Sequence, residues 1–130
     1  MPHGSTTYEI TVSTGSMPDA GTDATVYIEL FGDEGANSNE ITSTGKLTLD
    51  SPGDDHERGS NSVHSVRTKD LGNLSMIVIG HDNSNRKPGW FLNDVTIINQ
   101  ETNQRWVFPC NKWLAADEGD GRTERWLNVA

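Results

Sequence analysis

The chain has 130 residues, ten Lys and Arg against 19 Asp and Glu, and a formal net charge of −9. That length fits one domain with a modest core, and the acidic balance excludes nucleic acid as a default partner, because phosphate contacts need clustered Lys and Arg. Only 32% of residues are hydrophobic, and the lone Cys110 excludes an internal disulfide, which fits a reducing compartment or a fold that needs no bridges.

The opening Met1-Pro2-His3-Gly4-Ser5 lacks the basic and apolar regions of a signal peptide and reads as a start site or expression remnant. Residues 1–7 are therefore expected to be a tail and 8–130 the domain. Tyr8, Ile10 and Val12 alternate with Glu9, Thr11 and Ser13, the period of a half-buried strand. Gly15 to Thr22 is a loop punctuated by Gly15, Pro18 and Gly21. Val26, Ile28 and Leu30 mark a second strand, and Gly32 to Asn39 a polar connection. Ile41 to Leu49 is a weaker strand broken by Gly45, and Ser51 to Gly59 a long acidic loop. Ser62 to Arg67 reads as a strand with poor alternation. Leu74 to Ile79 is continuously apolar, as a central strand covered on both faces would be. Trp90 to Ile98 and Arg105 to Phe108 follow as strands, and Arg122 to Leu127 closes the chain. Seven or eight short strands with turns between them, and no clear helical period, predict an all-β antiparallel sandwich. No apolar run is long enough to cross a membrane.

The acidic residues gather in turns. Gly80-His81-Asp82-Asn83 ends the apolar run, and Asp19-Ala20-Gly21-Thr22-Asp23 and Asp54-Asp55-His56-Glu57 are two further acidic turns. A lone Asp in a turn usually bonds its own backbone. Three acidic loops at one end of a β-protein would instead suit calcium, which takes six to eight oxygens at about 2.3–2.6 Å. Unneutralised, such a cluster would cost several kcal/mol in repulsion.

In order and spacing, a set of segments resembles the PLAT domain, the module named for polycystin, lipoxygenase and alpha-toxin. They are Tyr8-Glu9-Ile10-Thr11-Val12 with Thr14-Gly15, Ala20-Gly21-Thr22-Asp23, Val26-Tyr27-Ile28 with Gly32, and Leu71-Gly72-Asn73-Leu74. Ile79-Gly80-His81-Asp82-Asn83, Pro88-Gly89-Trp90-Phe91-Leu92, Trp106-Val107-Phe108-Pro109-Cys110, Lys112-Trp113-Leu114 and Gly119-Asp120-Gly121 complete it. The flavour is that of the lipoxygenase-homology type. The resemblance implies two packed four-stranded sheets and a calcium-assisted binding role towards membranes or proteins.

It also implies ligands. Asp19, the Gly21 carbonyl and Asp82, with the Asn83 carbonyl, would form one calcium site. Thr22, Asp23, Asp54 and Asp55, with Glu57, would form a second. Trp90, Phe91, Trp106 and Phe108 are expected in the core and Trp126 as a cap on the sheet edge or core. The loop tips depart from calcium-dependent lipoxygenase modules, which expose aromatics there. This chain has Ser16, Met17 and Pro18 at one tip and Ser84, Asn85, Arg86 and Lys87 at another. Membrane contact is therefore expected to be shallow, through Met17, Arg86, Lys87 and Trp113.

Catalysis finds no foothold. His3, His56, His64 and His81 lack zinc-ligand spacing with one another or with Cys110. Gly15-Ser16 is no nucleophile elbow, and no glycine-rich phosphate loop precedes a helix. The expectation is a monomeric, non-enzymatic, calcium-binding module, cytoplasmic or peripheral to a membrane. It would contact lipid, or a protein partner with calcium only structural, or target a larger chain.

Overall fold

The computed structural model describes residues 5–16, 25–32, 42–49, 59, 61–82, 89–115 and 121–130. Among them are nine strands: β1 (Ser5–Thr14), β2 (Val26–Gly32), β3 (Thr42–Ser43), β4 (Leu47–Leu49), β5 (Asn61–Lys69), β6 (Leu74–His81), β7 (Trp90–Asn99), β8 (Arg105–Leu114) and β9 (Glu124–Asn128). They form two antiparallel sheets, in the orders β5-β1-β7-β8 and β3-β2-β6-β9, with β4 also pairing β2. β3 and β4 are two pieces of one edge position, because Gly45 between them has a φ of 73° that breaks the strand. Each sheet is thus four positions wide, as expected.

The period-2 pattern explains the core. In β1, Thr6, Tyr8, Ile10, Val12 and Thr14 alternate buried against half-buried neighbours. Ile28, Leu30, Ile77 and Ile79 of one sheet are fully buried with Ile10, Val12, Val95, Ile97 and Phe108 of the other. Burial of this apolar area is the main favourable term in the fold. β6 lies between β2 and β9, and Ile77 to His81 are all buried, which bears out its central place.

Three readings of the pattern are corrected. β5 does alternate, but in inverted chemistry: Ser62 and His64 are buried while Val63 is 55% exposed, because the strand lies at a sheet edge with its polar residues inward. Phe91 is not a core residue; it stands half-buried on the outer face and meets Trp113 edge-to-face at 5.4 Å. Trp126 caps nothing: it is 61% exposed and stacks on Phe31 at 5.9 Å across the outer face of the second sheet. In β9 the alternation that buries Leu127 must turn its neighbour outward. β8 also runs on to Leu114, beyond the predicted Phe108, through a bulge. Leu92 pairs Lys112 while Asp94 pairs Pro109, and Asn111 sits at a φ of 55°.

Candidate functional site

Strand direction and register fix which connections share an end. Val26 pairs both Leu49 and His81, Ser13 pairs Asn61, Thr14 pairs Leu92, Trp90 pairs Leu114, and Gly80 pairs Glu124. The strand ends that bound residues 15–25, 50–60, 82–89 and 115–123 therefore all lie at one end of the sandwich.

The bases of these connections are tied to one another. The Gly59 N–H donates to the Gly15 carbonyl at 2.8 Å, and the Gly15 N–H to the Phe91 carbonyl at 2.9 Å. The Asp82 N–H donates to the Thr25 carbonyl at 3.1 Å, and the Thr25 N–H returns a bond to Asp82 Oδ1 at 3.2 Å. This reciprocal pair holds an exposed carboxylate at the mouth of two connections.

Behind Asp82, His81 is a buried strut. Its Nε2–H donates to the Leu114 carbonyl at 2.6 Å, and its backbone N–H to the Thr123 carbonyl at 3.1 Å. Burial lowers its pKa, against smaller upward pulls from the Leu114 carbonyl and from Asp82, so the ring is neutral at pH 7. Gly80 lets the fourth connection close over this point. A Cβ there would lie 2.6 Å from the Thr123 carbonyl oxygen and 2.8 Å from the Tyr27 hydroxyl. That hydroxyl donates to Glu124 Oε2 at 2.5 Å. Burial and the carboxylate raise the Tyr27 pKa far above the usual phenol range.

Of the expected calcium ligands, Asp82 is described and exposed. Asp19, Gly21, Thr22, Asp23, Asp54, Asp55, Glu57 and Asn83 lie outside the described residues, as do Met17, Arg86 and Lys87. Among the described residues no group of three or more His, Cys, Asp or Glu converges as a metal site. The donor set fits calcium in kind, since carboxylates, a threonine hydroxyl and backbone carbonyls are all hard oxygen donors. Trp113 is half-buried against Phe91, and its carbonyl accepts from Arg125 Nε at 3.2 Å and Nη2 at 2.9 Å. Sequence reasoning missed Thr25, His81 and Arg125 as organisers of this end. A polar His closing an apolar run was the available signal for His81.

With this geometry in view, comparison with known proteins is informative. The PLAT/LH2 domain family model matches residues 8–128. Lipoxygenase homology domain-containing protein 1 of Mus musculus is 40% identical over 121 residues, covering 93% of this chain and 6% of the relative. Polycystin-1-like protein 3 of Homo sapiens is 35% identical over 119 residues, covering 91% of this chain and 6% of the relative. The chain thus spans a small fraction of the length of these relatives. A crystal structure of coral 8R-lipoxygenase, described as calcium-activated through a C2-like domain, superposes with a TM-score of 0.79 at 30% identity, over 95% of this chain and 17% of that one.

Proposed function

The chain belongs to the PLAT/LH2 domain family, and we propose that it is a calcium-binding module whose metal controls a peripheral association with membranes. The observation that carries this reading is the reciprocal Asp82–Thr25 pair, which presents a carboxylate where the acidic connections leave the sandwich. The calcium activation described for the coral lipoxygenase, through a C2-like domain of similar fold, supports it. Asp19, Gly21, Asp82 and Asn83 would hold one ion, and Thr22, Asp23, Asp54, Asp55 and Glu57 a second. Bound calcium would supply positive charge that cancels carboxylate repulsion and bridges the protein to anionic headgroups. The chain's own part is to orient Asp82 through Thr25 and to brace the end through His81.

Attachment in this reading is shallow and electrostatic. Arg86 and Lys87 would each contribute about 1 kcal/mol near an anionic surface, with Met17 and Trp113 adding little apolar burial. The module itself is not read as an enzyme. Its setting is cytoplasmic or at a membrane surface.

Calorimetric titration of calcium into chelator-treated protein tests the metal, and sedimentation with phosphatidylserine vesicles, with and without calcium, tests the membrane. The double substitution Asp23→Asn and Asp55→Asn should remove most of the calcium heat. No heat of binding by the unsubstituted protein would overturn the metal reading. Binding that survives high salt and collapses on Met17→Ala or Trp113→Ala would replace shallow contact by insertion.

A second reading is favoured by one observation. The stacked Phe31 and the 61%-exposed Trp126 form an aromatic surface on the outer face of the second sheet, and exposed aromatics are enriched where proteins meet. In that reading the chain is an interaction or targeting module of a larger protein, and calcium only stiffens its loops. Calcium binding without sedimentation on any vesicle would select it.

A further inference from the structure

Three of the chain's ten cationic side chains line one pocket, although the chain as a whole is strongly acidic. The pocket lies at the open edge where β8 of one sheet faces β9 of the other, and Lys112, Arg122 and Arg125 line it beside Pro109 and Leu127. Its volume is about 220 Å³, several times the ~30 Å³ share of one water. None of the described residues lining it is acidic.

The backbone explains why cations face this gap. Lys112 is in register with buried Leu92, so it stands on the core side of its sheet. The bulge at Cys110 and Asn111 bends that edge strand. On the facing strand, Arg125 shares its side with buried Leu127. Its guanidinium is fixed by two bonds to the Trp113 carbonyl, one from Nε and one from Nη2. A guanidinium carries five donors in one plane, so anchoring it pre-orients a fork that suits a phosphate. Arg122 is held close by the Ala115 N–H bond to its carbonyl at 2.8 Å.

We propose that this pocket binds a phosphate group, through Lys112, Arg122 and Arg125. The site uses none of the loop carboxylates and needs no calcium. It therefore stands whether or not the calcium reading does. The phosphate can be carried by a soluble molecule or by a lipid headgroup.

The experiment is an amide-resolved NMR titration with inorganic phosphate, in chelator and at constant ionic strength. Saturable shifts centred on the amides of Lys112, Arg122 and Arg125 are expected. Lys112→Ala and Arg122→Ala together should weaken binding by about tenfold or more; both side chains spare the Arg125 clasp. Arg67→Ala with Arg105→Ala, which removes the same charge from other exposed positions, should leave it unchanged. Amide dispersion in the same spectra checks that each variant is folded. Sedimentation on phosphatidylcholine vesicles with and without phosphatidylinositol 4-phosphate, again in chelator, identifies the carrier. Pelleting that the Lys112/Arg122 variant loses supports a headgroup, and saturable phosphate shifts without pelleting support a soluble ligand. Shifts that do not saturate, or that are equal in the two paired variants, would overturn the site.

Discussion

The two ends of the sandwich are built differently. At the far end, β5 joins β6 through residues 70–73 and β7 joins β8 through 100–104. Both are short turns whose polar groups bond within the fold, and a third connection at that end, residues 33–41 between β2 and β3, is longer. Asp70 Oδ1 takes the Gly72 N–H at 2.9 Å, and Asn99 Oδ1 takes both the Thr6 hydroxyl at 2.6 Å and the Glu101 N–H at 3.0 Å. The Tyr8 hydroxyl accepts the Leu71 N–H at 3.0 Å, and Asn73 Oδ1 accepts from Trp106 Nε1 at 3.1 Å. At the loop end, connections of eight to eleven residues (82–89, 115–123, 15–25 and 50–60) leave from tied bases. The lesson is that one end carries the tight turns, whereas the other holds the tied bases from which the acidic connections leave.

The largest test of that contrast is at those bases. Trp90 is fully buried and donates its Nε1–H to Thr14 Oγ1 at 2.9 Å. Trp90→Ala should cost about 3–5 kcal/mol in denaturant unfolding and weaken calcium binding with it. A loss of stability with intact calcium affinity would break the link between bases and loops.

Calcium itself comes next. At a hundredfold excess over its Kd it should add about 2.7 kcal/mol, reversed by chelator. Hydrogen exchange should place the gain: the amides of Gly15, Gly59 and Asp82 should slow more than those of Gln100 and Asn103. Equal slowing at both ends would erase the distinction between them.

At the far end, Asn99→Ala should cost about 1–3 kcal/mol, because it strands the buried Thr6 hydroxyl. Calcium affinity should not change. Gly32→Ala should act in the same range, since a Cβ there would collide with the Leu71 carbonyl.

The smallest effect is that of pH. His81 has a folded pKa below its usual 6.5, so the unfolded chain takes up this proton first as pH falls. Its contribution is complete above about 6.5 and is lost as pH drops towards the folded value, by at most about 1.4 kcal/mol per pH unit. Unfolding midpoints in chelator should show this slope in the native protein and a flatter one in His81→Gln. Parallel slopes would assign the effect to other groups.

Much of this was legible in the chain. Alternation at Tyr8–Val12 and Val26–Leu30, the break at Gly45 and the solid run Leu74–Ile79 gave strands and core directly, because a strand's faces repeat every two residues. The motif order gave the family, and the acidic turns gave the expected chemistry. β5 was harder, because its inward residues are polar and its outward Val63 is not. Phe91 and Trp126 misled for a related reason: an aromatic in a strand pattern carries no mark of which face it takes near a bulge or at a sheet edge.

Sequence by itself determined the strands, the sandwich and which turns are acidic, since these follow from local period and composition. Tertiary structure alone decided which residues meet. The Asp82–Thr25 pair joins positions 57 apart in sequence, and the Tyr27–Glu124 bond positions 97 apart. Lys112 and Arg125 come to one cleft because β8 and β9, edge strands of different sheets, face each other there. That encounter depends on how the two sheets pack face to face, which no single strand's pattern encodes.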